Sequence, residues 1–527
     1  MVESGHDQRF AAAALALAAA LACAVSWSET AQAQTQDAPI GSPAGGFGLR
    51  GASPVALPGG LQPTTFAGNA AIAQAGGGAR TPRARAKRPA AVGSARKPLP
   101  DLVPYRGAPG QRLRRGEAAK KVVPAPTVAA IPYPERRRVT PEQNPYAPVG
   151  VDVGGLRLRP FVEAEGGYDD NPNRASGRKQ GSSLARLGAG LEAASDWARH
   201  EFKANLRGGY TRYFKVDDAD RPDLAATASL RLDATRDTQL LFDAKANLDT
   251  QRPGSPEITS LGTRGATLEG RPLVANYGAG VGVTQRFNRL SATLRGAIDR
   301  TDYADGDLSD GSKLALGGQS YTTYGLRARL AYEATPGVRP FVEASVDQRR
   351  HDERLDQAGF ARDSKGATLK AGTSFEITRT LTGEASIGHA TRRYDDRRLP
   401  DLRGAVVDAA LVWTATPLTT ITLKASTDLA ETNIANASGA IARKASIELS
   451  HALLRNLTLT GALALAETDY RGVDLRERSL AATLRADYAL TRSIVVRGSF
   501  THERLKSSAV NSDYTANAFL LGLRLQR

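Results

Sequence analysis

The sequence predicts an all-β fold: a transmembrane antiparallel up-and-down β-barrel of about eighteen strands, bracketed by sixteen and twenty, behind a tail without regular structure. Three observations predict it. From Leu156 to the last residue, apolar and polar side chains alternate with a period of two, which is the signature of strands. The polar positions carry charges spread along each strand; a dry core would not tolerate them unpaired, whereas a wet barrel interior does. Short turns alternate with longer polar loops, as they do where periplasmic ends face outer ones.

The alternation is clearest at Ala405, Val407, Ala409, Leu411 and Trp413, with Asp408 and Thr414 on the opposite face. After Thr416-Pro417-Leu418-Thr419 it resumes, with Ile421, Leu423, Ala425 and Leu429 set against Thr422, Lys424, Ser426 and Asp428. Composition agrees. Apolar content is ordinary at 41% and mean hydropathy is −0.34, as expected when each strand averages a lipid face with a wet one. After the N-terminal stretch no run of about 18 apolar residues occurs, so no helical span is encoded there. The net charge of +16 is uneven: residues 1–149 hold 18 Lys/Arg against 8 Asp/Glu, and the rest hold 52 against 46. Strong basicity belongs to the tail, and a nucleic-acid partner for the body is not expected.

Taken in order, Phe10 to Val25 is nearly pure Ala/Leu after Arg9, and Ala31-Gln32-Ala33 is a small-x-small cleavage site. Residues 1–33 therefore read as a secretory signal peptide. Cys23 is the single cysteine; its loss with the leader leaves no thiol, which suits an oxidising periplasm. Ala20-Leu21-Ala22-Cys23 matches a lipoprotein box only loosely, with Leu21 one position late. Residues 34–149 are rich in Pro, Ala, Gly and Arg without a sustained period, and cannot bury enough apolar surface to offset ordering entropy. They read as a disordered basic periplasmic linker. Its 17 Lys/Arg against 5 Asp/Glu suit peptidoglycan or acidic polysaccharide as a partner, although a passive linker or a chain threaded into the barrel mouth reads equally from composition.

Residues 150–527 are the barrel. Strands are predicted over 156–168, 183–194, 201–214, 223–234, 239–249, 276–285, 290–303, 321–333 and 338–348 in the first half. The second half repeats the scheme over 367–377, 381–394, 405–416, 420–429, 443–453, 457–470, 479–490, 493–503 and 514–526. Each approaches or exceeds the ~9–11 residues a tilted membrane strand needs. Tyr168, Tyr210, Tyr303, Tyr394 and Tyr470 precede the longer loops, and Trp197, Phe287, Tyr332, Trp413 and Tyr488 fall near the short turns; both sets are expected to form interfacial girdles. The run Arg159-Pro160-Phe161-Val162-Glu163-Ala164 recurs at Arg339-Pro340-Phe341-Val342-Glu343-Ala344, by hairpin duplication or by chance.

With Gly167-Tyr168-Asp169-Asp170-Asn171-Pro172 near its start and Leu411-Val412-Trp413-Thr414-Ala415-Thr416 before Leu418-Thr419, the body resembles the putative β-barrel porin family of the second type. The resemblance covers about residues 150–527. It implies a barrel in the outer membrane of a Gram-negative bacterium, many members being alphaproteobacterial, with outer-membrane lipid, lipopolysaccharide and the barrel assembly machinery as partners. It implies no catalytic residues and leaves the solute open. One departure is the end, Leu523-Arg524-Leu525-Gln526-Arg527, where such barrels usually finish on an aromatic residue.

The phase assigns to the inner face Arg157, Arg159, Glu163, Arg186, Glu192, Lys203, Arg207, Arg231, Asp233, Asp243, Lys245, Arg295, Arg327, Arg329, Asp408, Lys424, Asp428, Arg485, Asp487, Arg497 and Arg524. Read functionally, they are the wall of a diffusion channel for small hydrophilic solutes, favouring anions at an arginine-rich constriction. Read structurally, they pair across strands and brace a wet interior, and the barrel is then a non-conducting envelope anchor whose lumen is filled by loops or the tail. Gly278, Gly280 and Gly282 also face inward, which marks a close approach to the wall or a bend. An outer-membrane hydrolase would need Ser or Asp beside His; His389, His451 and His502 instead take the lipid phase. No cofactor, metal or enzyme activity is expected, since phosphate-loop and zinc spacings do not occur and Asp217-Asp218-Ala219-Asp220 lacks EF-hand spacing.

Overall fold

The computed structural model describes residues 145–252, 255–259, 266, 268–378 and 380–527. The leader, its cysteine and nearly all of the basic linker lie outside them.

Alternating side chains and short turns produce eighteen long strands among the described residues. They are β1 Leu156–Asp169, β2 Ser182–Ser195, β3 Glu201–Tyr213, β4 Arg221–Asp233, β5 Thr238–Thr250, β6 Leu273–Phe287, β7 Leu290–Tyr303, β8 Tyr321–Tyr332 and β9 Val338–His351. Then follow β10 Ser364–Thr378, β11 Leu381–Tyr394, β12 Leu402–Thr416, β13 Thr419–Ala430, β14 Gly439–Leu454, β15 Leu457–Arg471, β16 Arg476–Ala489, β17 Ile494–Ser507 and β18 Tyr514–Gln526. Each pairs antiparallel with the next, and β18 pairs with β1 from Phe161 opposite Gln526 to Asp169 opposite Ala518, closing the ring. A closed ring leaves no unpaired edge, which is the condition for strands to cross lipid.

The expected phase holds along the strands. Val342, Val346, Leu521, Leu523 and Leu525 project outward and are exposed, whereas Glu163 and Glu503 on the other face are buried. On the short-turn side, Phe287, Tyr332, Trp413 and Tyr488 stand exposed as a girdle. Trp197 instead packs against Leu156, Ala193 and Phe202, beside the short strand Val151–Val153 that folds back on β1. The tightest turns match their residues: Asn288, between β6 and β7, takes φ +56°, a conformation Asn tolerates better than most residues. Pro145, at the start of the described chain, accepts a hydrogen bond from Arg492 of a short turn.

Opposite the short turns the expected girdle is only partly formed. Tyr168 and Tyr210 are exposed, but Tyr394 and Tyr470 are buried in apolar clusters made by the long loops and strand ends. Tyr303 packs on the Leu308, Leu314 and Leu316 cluster, with Ile258 of the helical turn Pro256–Thr259. There the three short strands Leu268–Glu269, Gly306–Leu308 and Lys313–Leu314 form a separate sheet. Loop packing overrides strand alternation at these ends, and much of the apolar packing of the described residues sits there, because a barrel wall has lipid on one side and charge on the other.

The recurring hexapeptide occupies equivalent environments in β1 and β9. Phe161 lies opposite Gly190 of β2, and Phe341 opposite Gly372 of β10. A Cβ on Gly190 would fall 2.2 Å from the Phe161 ring, and one on Gly372 2.7 Å from that of Phe341, so each glycine makes room for its aromatic partner. On the other side Glu163 is in register with Arg524 and Glu343 with Arg329, and those arginines lie 3.8 and 3.5 Å from the Phe161 and Phe341 ring centres.

Candidate functional site

The inner wall is a sequence of charge pairs, within one strand or between strands one to three places apart. Glu163 is its main hub, accepting from Arg497 at 2.5 Å, Arg524 at 3.1 Å and Arg207 at 3.3 Å, while Arg497 also reaches Asp487 at 2.6 Å. Arg485 pairs with Asp487 at 3.0 Å. Arg186 holds both oxygens of Asp223 and approaches Glu165 at 3.9 Å. Arg231 lies between Glu201 at 2.8 Å and Asp233 at 3.3 Å, and Lys203 also pairs with Glu201. Arg327 contacts Glu343 at 3.5 Å, and Arg329 bridges Glu343 at 3.8 Å and Glu384 at 2.7 Å. Asp408 pairs with Lys370, and Asp428 accepts weakly from Ser426 at 3.5 Å. Arg157 pairs with Asp152 at the exposed short-turn rim. Among the described residues Lys424 and Arg159 have no carboxylate partner, and the Arg159 Nε is buried without an acceptor.

The glycine strip of β6 faces this wall, and the room its missing side chains leave is occupied by neighbours. A Cβ on Gly278 would fall 2.2 Å from Asp299, and one on Gly280 2.6 Å from Asp243. Asp299 pairs with Lys245 and Asp243 with Arg295, so these ion pairs lie flat over the glycines. His389, His451 and His502 take the outward phase, His451 bonded to Thr419 and His502 to Asn517. In the acidic loop, Asp220 accepts from the Tyr213 backbone and the Tyr210 hydroxyl.

The phase rule also places Glu165, Glu201, Asp223, Asp299, Glu343 and Glu384 inward, and these acids answer the predicted cations. The wall is accordingly balanced rather than arginine-dominated. Above it, the long-loop end is tied together by arginines the sequence pattern does not single out. Arg362, 4% exposed, donates to the carbonyls of Thr432 at 2.6 Å, Ala437 at 2.9 Å and Ile434 at 3.0 Å, and pairs with Asp356. Arg349 pairs with Glu431; burial alone would raise that carboxyl, but Arg349 and Arg392 hold it below its ordinary value of 4.5. Arg252 donates to the Ser512 carbonyl at 3.0 Å and approaches Glu477 at 3.6 Å. Arg174 lies between Asp169 and Glu503, each at 2.7 Å, which raises its pKa against the pull of burial.

Between wall and cap is a cavity of about 750 Å³. One side is small and neutral, with Thr460, Ala462, Ser479, Ala481, Thr483, Ser499 and Thr501 of β15 to β17. The other is charged. In all, ten arginines and lysines and ten aspartates and glutamates line it, so its formal charge cancels. Among the described residues no group of three or more His, Cys, Asp or Glu is placed to hold a metal ion.

A closed eighteen-strand barrel with an apolar outer face and an ion-paired inner face is a porin-like outer-membrane β-barrel. The chain belongs to the family described as Putative beta-barrel porin 2, which matches residues 144–527. No curated protein matches the sequence. Similar solved structures include one titled "Copper transporter OprC", at 10% identity and TM-score 0.40 over 72% of this chain and 81% of that one. Pseudomonas aeruginosa OccK3 (OpdO) matches at 13% identity and TM-score 0.35, over 70% and 96% of the two chains. Acinetobacter baumannii OccAB4 matches at 10% and 0.36, over 70% and 98%. Scores of this size carry no inference about pore or solute.

Proposed function

We propose that the chain is a channel for passive diffusion of small hydrophilic solutes across the outer membrane of a Gram-negative bacterium. The observation that supports this reading is the cavity of about 750 Å³ held between a small neutral wall and a charge-paired one. Sixteen to eighteen strands generally enclose enough room for an aqueous path. Because most of the wall cations are paired, the wall itself selects weakly by charge, and selectivity belongs to the outer cap. In this reading the short turns face the periplasm, lipid and lipopolysaccharide contact the outer surface, and the assembly machinery inserts the barrel. Residues 1–33 act as a leader, and residues 34–149 act as a basic linker able to meet peptidoglycan or acidic polysaccharide.

Planar-bilayer conductance of the refolded protein tests it: stable, resolved steps are expected. A folded but silent protein would favour the second reading, a non-conducting envelope anchor. The observation on that side is the Arg362 tie, which fixes two long loops to each other.

A further inference from the structure

Seven of the ten cations that line the cavity have an answering carboxylate, and Lys444 lies down the wall on β14. Arg174 has Asp169 and Glu503, and Arg186 has Asp223 and Glu165. Arg221 and Arg271 are different. Both line the cavity of about 750 Å³, and among the described residues neither has a carboxylate within ion-pair distance. Arg221, the first residue of β4, lies 6.0 Å over the Tyr213 ring. Arg271, just ahead of β6, donates one bond to the Pro172 carbonyl, and its Nε is buried with no acceptor. Burial and the like charges of Arg221 and Arg174 push the pKa of Arg271 down to about 9, the direction expected of a guanidinium that lacks a counter-ion. Asp249, on the same cavity wall, accepts only from the neighbouring Thr250 backbone N–H at 2.8 Å.

We propose that Arg271 and Arg221 form a recognition site at the outer mouth for small carboxylate-bearing solutes. A guanidinium with a free Nε–H and Nη–H presents a planar fork that matches the two oxygens of a carboxylate. A carboxylate there supplies the direct ion pair that no described carboxylate makes with either arginine. Asp249 opposes the anion and keeps its hold weak enough for release. The inference rests on the channel reading for its physiological meaning, but binding is measured independently of conduction.

The test is calorimetric titration of the refolded full chain in detergent micelles with succinate. Saturable binding that weakens as sodium chloride rises is expected. Arg271→Gln should weaken it roughly tenfold or more, the size of a lost charge-assisted bond, with Arg221→Gln in the same direction. Asp249→Asn should tighten it. If Arg271→Gln loses folded gel mobility, Arg271→Lys takes its place; it keeps the charge without the fork, and intermediate affinity is expected. No binding by the wild type, or binding that these substitutions leave unchanged, overturns the site. An open pore that ignores succinate removes the site and keeps the channel, whereas succinate binding by a silent barrel removes the channel and keeps the site.

Discussion

The two ends of this barrel use the same residues in opposite ways. At the short-turn end, aromatic side chains point outward to the interface and charges pair with the next strand, as alternation dictates. At the long-loop end, Tyr394 and Tyr470 turn into packed clusters, and arginines reach between loops distant in sequence. Arg252, for example, is bonded to Ser512. The difference follows from how position is fixed. A strand residue inherits its face from backbone pleat. A loop residue finds its place through tertiary contact, and there arginine, with five donors in a rigid fork, collects the carbonyls that loops leave unpaired.

The comparison can be broken first at the cap. Arg362→Ala removes the side-chain donor to the Thr432, Ala437 and Ile434 carbonyls and to one oxygen of Asp356, leaving a buried cluster short of bonds, and should cost about 3–5 kcal/mol locally. Hydrogen exchange should quicken across residues 431–438 and leave the strands unchanged; spread into the wall would show that cap and wall are one cooperative unit. In the wall, Leu411→Arg, facing lipid, should impair assembly by ~2–4 kcal/mol, while Val412→Arg, facing inward, is tolerated. Heat-modifiable gel mobility separates the two, and equal behaviour would refute the strand phase. Smaller still, Gly190→Ala should destabilise by about 1–3 kcal/mol through its clash with Phe161, and pairing it with Phe161→Ala should restore part of the loss. Chemical unfolding followed by tryptophan fluorescence reads both. The least effect is that of mild acid. Because the Glu431 carboxyl is held below 4.5, its stabilisation is complete above that value and is lost only as pH falls through the lower folded value. Loop 431–438 should therefore exchange alike at neutral and mildly acidic pH and open only in stronger acid.

Every strand of the ring was legible in the sequence because a period of two needs no knowledge of neighbours. The inner phase of Glu163, Arg329 and Arg497 was legible for the same reason. Their partners were not, since pairing Glu163 with Arg524 requires the register of strands at opposite ends of the chain. Nor was the cap: Arg252, Arg271 and Arg362 sit in polar loops, where charge reads as solvated, and nothing local distinguishes them from Arg397 or Arg398 of another loop. The acids that answer the wall arginines were hidden for the same reason, because they lie on other strands, one to three places round the ring.

The two hexapeptide knots have one further consequence. Seventeen of the eighteen strand junctions are held by a covalent connection, and the eighteenth, between β1 and β18, has none. At that seam alone, side chains must specify how far one strand slides along the other. Arg524 meets both the Glu163 carboxylate and the Phe161 ring there, and a slip by one residue would send it into lipid. The hexapeptide in β1 thus serves as the clasp of the ring, and its copy in β9, beside a covalent turn, repeats a device whose necessity lies elsewhere.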